Sequence, residues 1–359
     1  MCSARSVPLA TAGIVALWFA SPAVAQHTKL ELVRLCDVSP GPVRAAQLTF
    51  GEKHKGLAGK RTRLVEEIGA YSKGKCGQRM PSKSELAQEC RAIIQGFGTK
   101  VAELNEEITA FCRTAEVGPW ADLLNMRPSA QALNDQRARR NRDKVAFEVQ
   151  RIEEARGAHV NFDTYAVEIT GLPTKGPATP ELLLAHIRRN LNEFFDHSAS
   201  TFVSHTTGDA TDWAAGGAAP LGSLMVFKIP AGGVFQEQGA VVTSASTPTM
   251  WVFSPVKIGL SFPGEHPVSG NREFGIRSIG EGKYEIYTRA ADRARDKIVQ
   301  AIPGPGEDVV FRGANKLWQS WQARVVDYVK ANGGSATAAP PVIHRPSWTE
   351  VESSGLLRR

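Results

Sequence analysis

Residues 272–289 read REFGIRSIGEGKYEIYTR, two β-type runs, Arg272 to Ser278 and Tyr284 to Arg289, joined at Gly280-Glu281-Gly282. Short apolar and β-branched runs on either side of a Gly-x-Gly turn predict an antiparallel hairpin. Three further runs of the same type precede it: Leu221 to Ile229, Val234 to Ser244 and Met250 to Leu260. An earlier strand is expected over Tyr165 to Ile169, just after the text changes character at His159. Two helical segments flank this meander. The first opens at Thr179-Pro180-Glu181, with threonine at the N-cap and proline at the first helical position, and buries Leu183, Leu184, Ile187, Leu191 and Phe194 or Phe195. The second runs from Ala314 to Ala331, with Leu317, Trp321, Val325 and Tyr328 or Val329 on one side, and stops at Asn332-Gly333-Gly334 as a helix C-terminus should. Helix, meander, helix is an α+β plan in which helices cover one face of an antiparallel sheet. The expected domain spans 159–334, followed by a mostly flexible Ala/Thr/Pro-rich tail over 335–359.

The preceding part, 26–158, reads as helical. Leu86, Cys90, Ile93, Phe97, Val101, Leu104, Ile108, Phe111 and Ala115 are spaced by threes and fours and form one stripe on one long helix. Ser82 with Glu85 fits a capping box at its start. Gly96 and Gly98 fall inside without shifting the register. An earlier amphipathic piece from Arg61 to Tyr71 turns Leu64, Val65, Ile68 and Tyr71 inward. A charged segment, Ser129 to Arg156, carries Val145, Val149 and Ile152 as a thin apolar line. Its basic run, Arg137, Arg139, Arg140, Arg142 and Lys144, is read as a solvated helix face.

The first 25 residues have a basic start at Arg5, an apolar run from Ala12 to Ala20 and small residues at Ala23 and Ala25. That is the order of a cleavable secretory signal with Gln26 as the mature N-terminus. The apolar run falls well short of the roughly 20 residues a membrane-crossing helix needs. A secreted or periplasmic location follows, with no transmembrane segment in the mature chain. Cys36, Cys76, Cys90 and Cys112 all precede residue 115, and an even number in an oxidising compartment implies two disulfides stapling the helical part. Cys90 lies about 10 Å along the long helix, within reach of a returning Cys76. The expected pairs are therefore Cys76–Cys90 and Cys36–Cys112.

The chain carries a formal charge of +7, which becomes +6 once Arg5 is removed with the leader. Basic character favours anionic partners. For an exported protein these are an anionic surface polymer, an anionic small molecule or a partner protein, ranked ahead of nucleic acid. No G-x-S-x-G, H-E-x-x-H, Walker A or C-x-x-C is present, so no cofactor or metal is implied. Asp196, His197, His205, Asp209 and Asp212 have metal-ligand chemistry but no metal-site spacing, and read as a solvated loop.

The densest polar cluster, Pro263 to Gly275, contains Glu265, His266, Ser269, Asn271, Arg272 and Glu273. Tyr287 and Arg289 share a strand face by the period of two, with Asp292 and Arg293 following. If the hairpin forms, Arg272 and Arg289 are close neighbours. Two guanidinium forks could then hold a carboxylate, phosphate or sulfate. Cross-strand ion pairs among Arg272, Glu273, Arg289 and Asp292 are the competing reading of the same residues.

The runs HPVSGNREFG (266–275), YTRAADR (287–293), LWQSWQ (317–322), ANGG (331–334) and RPSW (345–348) resemble a domain found at the C-terminal end of bacterial secreted or toxin-like multidomain proteins. That domain has no established activity. The resemblance covers about 160–350, and Ala290-Ala291 stand where its pattern more often has Gly-Val. Two functions are carried forward. One is an exported binding or effector-accessory protein that contacts an anionic partner through the 264–275 loop. The other is an exported hydrolase or transferase with His266 as general base, Glu265 or Glu273 orienting it, Ser269 available as nucleophile, and Arg272 and Arg289 stabilising an oxyanion.

Overall fold

The computed structural model describes residues 15–17, 30–35, 44–74, 85–115, 117–139, 147–173, 175–176, 179–196, 201–231, 235–258, 266–295 and 306–357. It forms two compact units, 1–119 with 349–359, and 120–348. The class is α+β, with one large antiparallel sheet and eight α-helices among the described residues. No described helix is long and apolar enough to cross a membrane.

In the first unit, α1 (Arg44–Lys73) and α2 (Glu85–Ala115) pack through their apolar stripes. Leu64 and Ile68 of α1 and Phe97, Val101, Leu104, Ile108 and Phe111 of α2 are buried, while Ile93 stays exposed. The Tyr71 hydroxyl donates to the Cys90 carbonyl at 3.0 Å, and its ring meets Phe97 edge-on. Lys60–Glu107 and Lys100–Glu67 bridge the helices at the surface, where such pairs contribute about 0–1 kcal/mol. A short ladder of β1 (Val15–Leu17) on β2 (Leu30–Leu32) lies beside α2. Asn105 holds β2 as a neighbouring strand would: its Oδ1 accepts from Val33 N at 2.9 Å and its Nδ2 donates to Glu31 O at 2.6 Å. The expected capping residue Ser82, and one cysteine of each expected disulfide (Cys36 and Cys76), lie outside the described residues.

In the second unit the main sheet runs β11 (Ser335–Ala338), β4 (Val160–Thr170), β10 (Lys283–Ala294), β9 (Val268–Gly280), β8 (Met250–Ile258), β7 (Phe235–Thr247), β6 (Leu224–Ala231) and β5 (Thr201–Ser204). Every pairing is antiparallel; β12 (Val342–His344) adds to β4 and β3 (Phe147–Val149) to β8. One face carries Tyr165, Val167, Ile169, Met225, Trp251, Phe253, Phe274 and Ile286. It is covered by α5 (Pro180–Arg189) and by Trp318, Trp321, Val325 and Val329 of α7 (Gly306–Ala331). Trp251 and Phe274 stack across β8 and β9 with centroids 4.7 Å apart. On the opposite face, Phe147, Leu224, Ala240, Val242, Val256 and Ile258 pack with Leu133 of α4 (Ala130–Arg139).

Three expectations need correction. The division falls after Pro119 and not at 158, because α3 (Ala121–Asn125), α4 and β3 belong to the sheet unit. A helix over 129–156 does not form. Its described part ends at Arg139, and Phe147–Val149 gains a ladder with β8 that outweighs a weak helical period. Within it, Arg137 is not solvated: it is buried against Asp209 of α6 (Thr207–Ala215) at 2.6 Å and donates to Gly222 O at 3.0 Å. Finally, 335–348 is an ordered strap along β4. Gln322 of α7 donates to both Ala166 O and Ala339 O, at 2.7 and 2.8 Å, and so ties helix, sheet and strap together. The strap's composition lacks an apolar alternation, because its order comes from backbone hydrogen bonds to an open strand edge. The final helix, α8 (Trp348–Ser354), follows it.

Candidate functional site

Most of the polar residues singled out in the sequence fall on β9 and β10, and the register of these strands decides what they can do together. Arg289 pairs with Glu273, and the next rung pairs Ala290 with Arg272. Successive side chains in a strand point to opposite faces, so Arg272 lies on the α7 face and Arg289 on the other. Residues 268–275 are strand, not loop.

On the α7 face, the Arg272 guanidinium donates to Asp163 Oδ2 at 2.8 Å and to Thr288 Oγ1 at 3.3 Å. It also lies 3.6 Å from Asp292 Oδ2 and 4.1 Å from the centroid of the Trp318 ring. Asn161 Nδ2 donates to both carboxylates, at 2.8 Å to Asp163 and 3.4 Å to Asp292. Its Oδ1 accepts from Arg345 Nε at 3.2 Å. Arg345 also reaches Asn315 Oδ1 at 3.3 Å, an atom that accepts the Tyr165 hydroxyl at 2.8 Å. Asp163 and Asp292 are both buried, and Asp163 Oδ1 has no hydrogen-bond partner among the described residues. Burial, and then the Asp163 charge, push the Asp292 carboxyl up to about 7, against the lowering influence of Arg272 and Arg345.

On the other face, Glu273 accepts from the Tyr287 hydroxyl and from Arg289 Nε and Nη2, the last at 3.1 Å; Arg289 Nη2 also donates to Asp122 Oδ2 of α3 at 2.8 Å. Burial, reinforced by Glu273, holds the Tyr287 phenol protonated well above its usual range. Asn271 accepts from Ser254 Oγ at 2.6 Å and donates to Leu123 O and Met126 O, fastening the end of α3 to β9. Arg293 Nε donates to Gly157 O at 2.6 Å, and its guanidinium lies 4.3 Å from the centroid of the Trp348 ring. Cross-strand and inter-element pairs therefore engage all three arginines.

His266 precedes β9. Gln150 brackets its backbone, accepting from His266 N at 2.7 Å and donating to His266 O at 3.1 Å, while the ring Nδ1 meets Val268 N and O at 3.3 and 3.2 Å. The ring packs so closely on β7 that a Cβ at Gly239 would stand 2.4 Å from its Cδ2. Desolvation lowers the imidazole to about 4. Ser269 is buried and accepts from Arg295 at 3.5 Å; no hydrogen bond among the described residues joins it to His266. Glu265 lies outside the described residues, as does His197 of the candidate metal loop. In that loop, Asp209 takes the Thr206 hydroxyl, Leu224 N and Arg137, and no metal-binding group of three occurs among the described residues.

Asn161, Asp163 and Arg345 were missed in the sequence. The strand expected from the sequence starts at Tyr165. Extending its phase back two and four positions places Asp163 and Asn161 on the buried side, and a carboxylate in an apolar phase is the available signal. Arg345 carries no such signal, since only the strap brings it there.

No protein-family model and no curated protein matches this chain. Among solved structures, the crystal structure of human STARD10 is similar at 11% identity and a TM-score of 0.26, covering 55% of this chain and 80% of that one.

Proposed function

We propose that this is an exported binding protein that contacts an anionic partner through the exposed face of α7. One observation carries the reading. Arg272, Arg289 and Arg293 are engaged within the fold, whereas Arg312, Lys316, Arg324 and Lys330 are exposed along α7 and have no carboxylate partner among the described residues. From Arg312 to Lys330 the only acid is Asp327, so the helix presents a net positive face that attracts a polyanion at low ionic strength. The neutral, backbone-held His266 favours binding over acid–base chemistry in this unit. Export rests on the leader sequence.

The stapled helical unit belongs to the same proposal. Cys90 and Cys112 are both half-cystines. Twenty-two positions apart on one helix, they are about 33 Å from each other, so each needs another cysteine. Cys76 for Cys90 and Cys36 for Cys112 remain the proposed partners, and non-reducing peptide mapping distinguishes them from the exchanged pairing.

A sulfated polysaccharide column tests the binding surface. The mature protein should be retained at low salt, and a variant with Arg312, Lys316, Arg324 and Lys330 changed to Gln should elute much earlier. Arg289→Gln should elute with the parent. Equal elution of the parent and the four-site variant would remove α7 as the contact surface.

A further inference from the structure

Three arginines of the sheet unit set their guanidiniums against carboxylates: Arg137 is 2.6 Å from Asp209, Arg272 2.8 Å from Asp163 and Arg289 3.1 Å from Glu273. Arg188, in the last turn of α5, does not. It is 5% exposed, yet among the described residues its guanidinium meets no acid, and the charge that acts on it is that of Arg189. Burial, and then Arg189, lower the guanidinium to about 10, so it is still a cation at neutral pH. Burying a cation is unfavourable unless some group supplies the counter-charge.

The fold uses one edge of this guanidinium. Arg188 Nη1 donates to Trp213 O at the C-terminal end of α6, and the Trp213 indole Nε1 donates back to Arg188 O at 2.9 Å. The guanidinium lies 5.2 Å from the centroid of the Trp213 ring, which is stacked on Phe253 in the core at 5.3 Å. This reciprocal clasp fixes the side chain. Capping a helix C-terminus needs only that one N–H. Nε and Nη2 have no acceptor among the described residues, and together they are the side-on fork that matches two oxygens of an oxyanion. The chain leaves α6 past this fork at Gly216, where φ is +78° and a Cβ would stand 2.5 Å from Nη2. A residue with a side chain would crowd the free edge.

We propose that the Nε–Nη2 edge of Arg188, beside the bend at Gly216, binds a bidentate oxyanion: a phosphate, sulfate or carboxylate group. Such a group supplies the counter-charge that the fold omits. The site differs in kind from the α7 face and rests on none of its residues. There, charges spread along a helix attract a polyanion; here, one immobilised fork selects the geometry of a single group.

The test follows the Arg188 Nε–H and Trp213 Nε1–H NMR signals of the mature full chain. Inorganic phosphate should shift both signals saturably, and chloride at matched ionic strength should leave them in place. Methyl phosphate acting as phosphate does would assign the site to an esterified group, and its failure would assign it to the free ion. Arg188→Lys keeps the charge but loses the fork, and should weaken the phosphate response of Trp213 about tenfold or more. The variant with Arg312, Lys316, Arg324 and Lys330 changed to Gln should respond as the parent does, which separates this site from the α7 surface. The parent titration needs no variant, so a poorly folding Arg188→Lys does not block it. A response that fails to saturate, that chloride reproduces, that Arg188→Lys retains in full or that the α7 variant abolishes would overturn the proposal.

Discussion

Arg272 and Arg289 occupy adjacent rungs of the β9–β10 ladder and face opposite sides of the sheet. Arg272 binds Asp163 beneath α7, and Arg289 binds Glu273 and Asp122 beside α3. Nearness along the ladder does not make them one site, because the backbone of the sheet separates them.

Among the described residues the two guanidiniums share no side-chain partner, so their contributions to stability should be independent. Arg272→Ala and Arg289→Ala each leave a buried carboxylate without its cation, a change that typically costs about 3–5 kcal/mol. The double variant should equal the sum to within about 0.5 kcal/mol. Urea unfolding of the four proteins measures this, and a coupling well above that limit would indicate a common site.

The buried pair of Arg137 and Asp209 fixes α4 to α6 and to the start of β6. Among the described residues Arg137 Nε and Nη2 lack partners, so the guanidinium depends on Asp209 Oδ1 and Gly222 O. Asp209→Asn should destabilise the unit by about 3–5 kcal/mol, whereas a solvated arginine would make the change almost silent. Thermal unfolding decides between these outcomes.

Gly270 has φ of +134°, and a Cβ there would stand 2.1 Å from Ala291 O and 2.8 Å from Asp292 Cα. Both obstacles are backbone, so β9 and β10 must move apart. Gly270→Ala should lower stability by at least the 1–3 kcal/mol typical of a forced backbone conformation. It should also shift the Asp292 carboxyl titration, which a change confined to the strand surface would leave alone.

The His266 imidazole should titrate near pH 4 in the folded protein, followed by its ring-proton NMR resonances. An exposed imidazole binds its proton near 6.5, so this residue favours folding above that value. Its contribution is lost as pH falls from about 6.5 to 4. This slope runs against that of Asp292, and His266→Gln should remove it while leaving the Asp292 dependence in place. A ring that titrates close to 6.5 would contradict the desolvated position beside Gly239.

Most of the elements are written in local sequence patterns. The 3.6-residue stripe on α2, the Thr-Pro start of α5, the Gly280–Gly282 hairpin and the aromatic period of α7 are local patterns that each formed, although α7 begins at Gly306, ahead of the expected Ala314. Their partners were set by long-range packing and strand register. One step of register put Arg272 and Arg289 on different faces. Strand pairing with β8 drew Phe147–Val149 out of a helical text, and an open edge on β4 ordered a strap whose residues carry no strand pattern. Asp163 and Asn161 became a charge cluster only when Arg345, more than 180 positions later, closed over them. Such contacts arise between segments remote in the chain, and neither composition nor spacing encodes their distance.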